Sequence, residues 1–378
     1  MKSELFGRTE NPQNNTLSEK GGLFLMKYIK LYCDDLVKAQ SCIPNLKNLQ
    51  DSKILITGAG GLIGSAIADL LISINDTKNA GNMIYLGARN KDKIEDRFEE
   101  MLDREDVDIF FHDALEPIQS DISFDYIIHT AGPSNPNMYD TIPVETMVAN
   151  FSGTYQLLRF SHKIGCKRLL YVSSSEVYGN KDDSGLYTEK DYGFVDILNS
   201  RACYPSAKRA TETLCSSFFK EYGVDSVIVR PGHIYGPTAT AEDNRAASQF
   251  FREVISGNNI TMKSAGDQLR SYCYSVDCAS AILAVLINGE PLNAYNISNK
   301  ESLITIRQLA DTIAECSGKK VIFENPSDKE VKSYNLMNNS GLDAKKLEEL
   351  GWEGTFDAKS GISHTFEIMR NHYSYEER

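Results

Sequence analysis

From residue 53 to residue 231 the chain repeats one pattern: a short run of consecutive apolar residues, then a longer stretch with apolar residues at every third or fourth position. A continuous apolar run suits a strand covered on both faces, and the helical spacing suits a helix that buries one side. Residues 54–57, 83–86, 107–111, 126–131, 168–173 and 227–230 read as strands. Residues 62–74, 144–164 and 204–222 read as helices, the last two long enough to cross between neighbouring parallel strands. The alternation predicts an α/β fold, a doubly wound parallel sheet with helices on both faces.

After Pro231 the pattern breaks up. Glycine, proline and polar segments separate short helical stretches at 246–256, 276–288 and 307–316, which predicts a smaller lobe on the carboxyl edge of the sheet. The chain thus divides into an N-terminal extension (1–50), the wound sheet (51–230) and a region that is mainly the smaller lobe (231–378). Within the extension, residues 1–20 are polar and read as poorly ordered, and 23–37 read as an amphipathic helix packed on its own domain.

Charge and cysteine content restrict the partners. The 52 Asp and Glu against 40 Lys and Arg leave a formal charge of −12, so an anionic ligand needs a locally basic pocket and a nucleic-acid surface is disfavoured. The eight cysteines show neither metal-ligand spacing nor a dense disulfide framework, which suits reduced thiols in a cytoplasmic protein without a metal site. The most apolar early segment, 22–32, is interrupted by Lys27 and Lys30, so no membrane span is expected, and the N-terminus lacks a signal-peptide layout.

Two stretches carry candidate chemistry. The first strand runs into Gly58-Ala-Gly-Gly61-Leu62-Ile63-Gly64, a glycine triplet between strand and helix. Gly58 allows a tight turn, Gly61 a close backbone approach by a pyrophosphate, and Gly64 close packing of helix on strand, with the helix N-terminus facing the phosphates. An acid that holds a ribose is missing at the end of the second strand, where Arg89 stands, so NAD and NADP both remain open. Asp113 and Ala114 follow the third strand, where a carboxylate and an amide could receive an adenine edge. The second stretch is Tyr204-Pro-Ser-Ala-Lys208, whose tyrosine and lysine share a helix face. A nearby ammonium would favour the phenolate and let Tyr204 act as a base. Upstream, Ser173-Ser174-Ser175-Glu176 places hydroxyls and a carboxylate at the carboxyl edge of the fifth strand, where wound sheets bind ligands.

Taken in order, these motifs resemble those of extended short-chain dehydrogenases/reductases, in the group of nucleotide-sugar epimerases, dehydratases and decarboxylases, over residues 50–370. The resemblance implies a Rossmann-type sheet with a C-terminal substrate lobe, NAD as cofactor with NADP as the alternative, and a nucleoside-diphosphate sugar as substrate. It implies Ser174, Tyr204 and Lys208 as the catalytic triad, with Glu176 as a further acid or base. It also implies that Gly58, Gly61, Leu62, Ile63, Gly64, Arg89, Asp113, Ala114, Ala131 and Lys208 line the cofactor. Ser175, His233 and Arg270 are then the substrate contacts. His129-Thr-Ala131-Gly-Pro matches the family's segment that passes the cofactor after the fourth strand, the helical Asn150 matches its structural asparagine, and His129 itself reads as structural.

In such enzymes Tyr204 would take a proton from the sugar C4 hydroxyl, with Ser174 on the same oxygen. The 4-ketone then permits epimerisation, loss of water from C6, or loss of carbon dioxide from a uronate. Ser175-Glu176 and Arg201-Ala-Cys-Tyr204 resemble the UDP-glucuronate decarboxylases most, while Pro205-Ser-Ala207 departs from their acidic spacer. His233 replaces the usual asparagine; contact with a diphosphate, acid/base work, or a bond to a backbone carbonyl are its possible roles. Tyr272 and Tyr274 read as core packing. Relatives dimerise through a four-helix bundle, so 144–164 and 204–222 are the candidate helices for a homodimer.

Overall fold

A computed structural model describes residues 29–181, 185–325 and 339–376. Seven strands form one parallel sheet in the order β10-β6-β5-β4-β1-β2-β3. They are β1 (Lys53–Thr57), β2 (Met83–Ala88), β3 (Val107–Phe111), β4 (Tyr126–His129), β5 (Arg168–Val172), β6 (Ser226–Pro231) and β10 (Ala294–Ile297). From β1 the chain winds outward to β3, then crosses back to β4 and winds the other way. The reversal between β1 and β4 opens a crevice at their carboxyl ends, the usual ligand position in such sheets. Ile54, Leu55 and Ile56 are fully buried, as the continuous apolar run requires of a central strand.

Helices α2 (Leu62–Lys78) and α8 (Ser275–Asn288) cover one face, and α5 (Pro143–Ile164) and α6 (Cys203–Tyr222) the other. The sequence reading has the main strands and helices within a few residues of these bounds, but it lacks β10. Ala-Tyr-Asn-Ile is short and half polar, and its pairing with β6 at Ala294↔Ile228 is a long-range event with no local signal. Helix α8 is likewise more than a lobe helix: twelve of its residues, from Ser275 to Leu286, are buried beneath the sheet. The chain therefore leaves the sheet after β6 and returns to it before finally departing.

The remaining chain builds a small layer above the carboxyl edge. It contains β7 (His233–Tyr235), β9 (Leu269–Tyr274), β11 (Leu303–Thr305) and β13 (Asn339–Ser340) around a central β9, plus the pair β8 (Ile260–Met262) and β12 (Val321–Phe323). Helices α7 (Ala246–Ile255) and α9 (Ile306–Ser317) pack on it, and α11 (Ala358–Glu376) closes the chain after the short α10 (Lys345–Glu348).

The expected N-terminal helix, 23–37, is represented by α1 (Lys30–Gln40); its first part, at 23–28, lies outside the described residues with the rest of 1–28. It packs on its own domain. Tyr32 donates to Asp69 of α2 at 2.9 Å, Gln40 donates to Ser73, and Asp35 accepts from Tyr274 at 3.0 Å while facing His364 of α11. All eight cysteines are free thiols. Among the described residues no helix is long and apolar enough to cross a membrane.

Candidate active site

The glycine turn folds as its spacing requires. Gly58 has φ +72°, and a Cβ there would lie 2.8 Å from Ala131 Cα and 2.9 Å from Thr130 Oγ1. A side chain at Gly64 would come within 2.9 Å of Ala59 Cα. Leu62, Ile63 and Gly64 form the first turn of α2, whose amides have no partner within the helix. Backbone held this close, ending on a helix N-terminus, fits a dinucleotide pyrophosphate. Ala131 sits beside Gly58 across the crevice, held by a loop to which buried Asn150 of α5 donates at Pro133 O. His129 bridges Thr57 and Thr154 at 2.7 and 3.1 Å and is pushed toward neutrality by burial and then by Lys208, so it works as a strut.

The outer cofactor candidates are farther apart. Arg89 is exposed just past β2. The Asp113 carboxylate accepts the Leu115 amide and so caps its own turn, while Ala114 lies against Gly153 of α5. Of the cofactor candidates, only Ile63 and Lys208 reach the cavity described next.

That cavity, of about 460 Å³, brings together Ser174, Ser175, Glu176, Tyr204, Lys208, His233 and Arg270. Ser174 caps a 3-10 turn (Ser175–Tyr178), its hydroxyl accepting the Glu176 amide at 3.1 Å. Tyr204 and Lys208 project from the first turns of α6 on one face. Lys208 donates to Val172 O at 2.9 Å, and its ammonium lies 5.6 Å from the Tyr204 ring centre. Burial pushes the Tyr204 phenol up to about 12, Glu176 adds to this, and hydrogen bonds with Ser174 and Tyr139 and the Arg245 charge oppose it. Burial pushes Lys208 down to about 7, against the pull of Glu212. The expected stabilisation of the phenolate by Lys208 is thus outweighed in this state, because both groups are desolvated together.

His233 corrects one expectation. Its buried Nδ1 has no hydrogen-bond partner among the described residues, so it does not serve a backbone carbonyl. The ring faces Tyr272 at 5.6 Å, and burial, then Arg270 and Arg245, push it down to about 3. Tyr272 also lines the cavity, whereas Tyr274 is core.

Three residues of this wall are absent from the candidate set above. Tyr139 of α4 (Pro136–Thr141) stacks on Tyr204 with ring centres 4.6 Å apart and 14° between planes. Arg201, placed by a 3-10 turn (Ser200–Ala202), covers the Tyr139 ring at 4.6 Å and holds both Glu176 oxygens at 3.1 and 3.2 Å. Arg245 reaches in from the start of α7, held by Asp243 at 2.8 Å. Arg201 lies three residues before Tyr204, which was a usable signal; Tyr139 and Arg245 stand in stretches with no local pattern.

This geometry agrees with the kinds of protein the chain is similar to. It is 29% identical over 329 residues to the UDP-glucuronic acid decarboxylase 6 of Arabidopsis thaliana, covering 85% of this chain and 90% of that one. It is 28% identical to the UDP-glucuronic acid decarboxylase 1 of Xenopus tropicalis, covering 86% and 73%. A solved dTDP-glucose 4,6-dehydratase of Streptomyces venezuelae with NAD bound superimposes with a TM-score of 0.73 at 21% identity, covering 85% and 98%. The UDP-glucuronic acid 4-epimerase of Bacillus cereus, with UDP-glucuronic acid and NAD, gives 0.71 at 21% identity, covering 84% and 99%. At such identity these two structures speak for the fold. The sequence profile of the NAD dependent epimerase/dehydratase family matches residues 54–298, from the first strand through the last strand of the sheet, and the chain belongs to that family.

Proposed function

We propose that this chain, with NAD in the crevice above β1 and β4, oxidises C4 of a uronate carried on a nucleoside diphosphate and releases carbon dioxide, as a UDP-glucuronate decarboxylase does. One observation carries the reading: Ser174, Tyr204 and Lys208 share a single cavity with Glu176 and the guanidinium groups of Arg201, Arg245 and Arg270. In a protein of net charge −12, such a concentration of cations suits a substrate with a diphosphate and one further carboxylate.

The glycine turn and the first amides of α2 would hold the pyrophosphate, and Lys208 the nicotinamide ribose. Bound there, NAD supplies the hydride acceptor and a positively charged ring. Tyr204, protonated in this state, would ionise only with that positive ring beside it and then take the C4 hydroxyl proton, with Ser174 hydrogen-bonding the same oxygen and Tyr139 fixing the plane of the phenol. Arg270 orients the anionic sugar; the β-keto carboxylate would lose carbon dioxide with its electron pair passing to the C4 oxygen, C5 would then take a proton, and Tyr204 would return its proton to that oxygen as C4 regains the hydride, so the cycle is redox-neutral. His233, neutral and without a partner at Nδ1 among the described residues, offers a hydrogen bond to substrate. Cofactor binding belongs on this reading to residues 51–230 and substrate binding mainly to 231–378. We further infer a homodimer through the exposed face of α5 and α6, which carries Val144, Met147, Val148, Phe151, Phe219 and Tyr222.

The test is incubation with UDP-glucuronate, UDP-glucose and dTDP-glucose, with products read by mass. Loss of carbon dioxide from UDP-glucuronate is expected. Loss of water from a hexose would replace the reading with a 4,6-dehydratase. An unchanged mass with a new stereoisomer by proton NMR would replace it with a 4-epimerase.

A further inference from the structure

The Arg201–Glu176 pair is held less tightly than the other arginine–carboxylate pairs of this region. Arg230 meets Glu212 at 2.6 and 3.0 Å with its side chain 2% exposed, and Arg245 meets Asp243 at 2.5 and 2.8 Å. Arg201 meets Glu176 at 3.1 and 3.2 Å, and the two side chains keep 24% and 21% exposure on the cavity wall. Charge-assisted bonds usually lie at about 2.7–2.9 Å. Arg201 also has a support independent of Glu176. Its guanidinium lies on the Tyr139 ring, which in turn stacks on Tyr204. A planar cation held by its face can change its in-plane partner without leaving the stack.

We propose that Arg201 selects uronates by exchanging partners: a carboxylate on the sugar replaces Glu176 on the guanidinium, and the Glu176 carboxylate is released into the cavity beside Tyr204. The proposal rests on the reading that the cavity takes a nucleoside-diphosphate sugar. A hexose cannot drive the exchange, because a neutral hydroxymethyl group would break a charge pair and put no charge in its place. Release of Glu176 is therefore tied to the presence of the substrate carboxylate. Arg201 is then a specificity-determining residue, acting beside Arg270.

The experiment measures equilibrium binding of UDP-glucuronate, UDP-glucose and UDP to the NAD-loaded protein in a Tyr204→Phe background, which keeps turnover from obscuring binding. Glu176→Gln removes the competing charge with little change of shape. It is expected to tighten UDP-glucuronate binding about 3- to 10-fold and leave UDP-glucose alone. Arg201→Lys, checked for an unchanged melting temperature, is expected to weaken UDP-glucuronate about 10- to 100-fold while UDP stays within about threefold. If Glu176→Gln weakens UDP-glucuronate binding or leaves it unchanged, Glu176 is a fixed support and the exchange is wrong. Equal weakening of all three ligands by Arg201→Lys would overturn it too. Failure of UDP to bind the background protein would overturn the nucleotide-sugar reading itself, and the exchange with it.

Discussion

Lys208 shows most directly how a proposed catalytic residue opposes the fold. It is 5% exposed, its ammonium donates to the Val172 carbonyl, and burial holds it at about 7 against 10.5 in the unfolded chain. Between those values the unfolded state binds the extra proton, so stability rises with pH across this window, and below about 7 the whole penalty is present. Lys208→Met should therefore raise stability at pH 7 by about 2–4 kcal/mol, after allowing for the orphaned carbonyl, while abolishing turnover. Thermal melts of both proteins at pH 7 and pH 10 test this: the gap should narrow at the higher pH. A variant less stable than the parent at pH 7 would mean that Lys208 is charged and satisfied where it stands. At this scale the types and spacings of Ser174, Tyr204 and Lys208 were readable because i,i+4 places two side chains on one helix face. The unpartnered Nδ1 of His233 was not, since it depends on what β9 and α7 put around the ring.

The element that matters most is α2. It can point at the crevice only because Gly58 turns left-handed and Gly64 lets the helix sit against the preceding backbone. Gly64→Ala would place a methyl group within 2.9 Å of Ala59 Cα, and backbone cannot rotate away as a side chain can. We expect a destabilisation of about 1–3 kcal/mol and a loss of NAD affinity of about tenfold or more, since amide positions in the first turn would shift. Isothermal titration with NAD checks it; retained affinity in a folded variant would remove the turn from the cofactor site. Local pattern sufficed to find this helix, with its apolar stripe and glycine start. It did not suffice for β10, whose four residues become a strand only because β6 offers an edge, nor for the placement of α8, which the spacing finds as a helix at 276–288 but not as a cover for the sheet.

For the described molecule, the first and last helices are stitched together and one helical face is left bare. Asp35 of α1 accepts from Tyr274 of β9 and faces His364 of α11, while buried Asp277 accepts the amides of Thr355 and Phe356 ahead of α11. The lobe is thereby tied to the sheet from below. On the opposite side, Val144 is 67% exposed and Val148 and Phe151 follow it on α5, an apolar face of the kind that marks an interaction surface. If this face joins two copies, Val148→Asp should convert a dimer into monomers in light-scattering chromatography while the protomer keeps its fold, its own stability within about 0.5 kcal/mol. A monomeric parent protein would sink the homodimer.

The sequence by itself determined the α/β class, the places of the main strands and helices, the glycine turn and the order of the motifs that carry the candidate site. Each of these rests on residues close together in the chain, where steric limits and periodicity act locally. Only the tertiary structure decided that Arg201, Tyr139 and Arg245 join Tyr204 at one wall, that Glu176 is held by Arg201, and that desolvation outweighs the lysine at the tyrosine. Those outcomes depend on which distant segments meet and how much water they exclude. A linear pattern carries neither quantity.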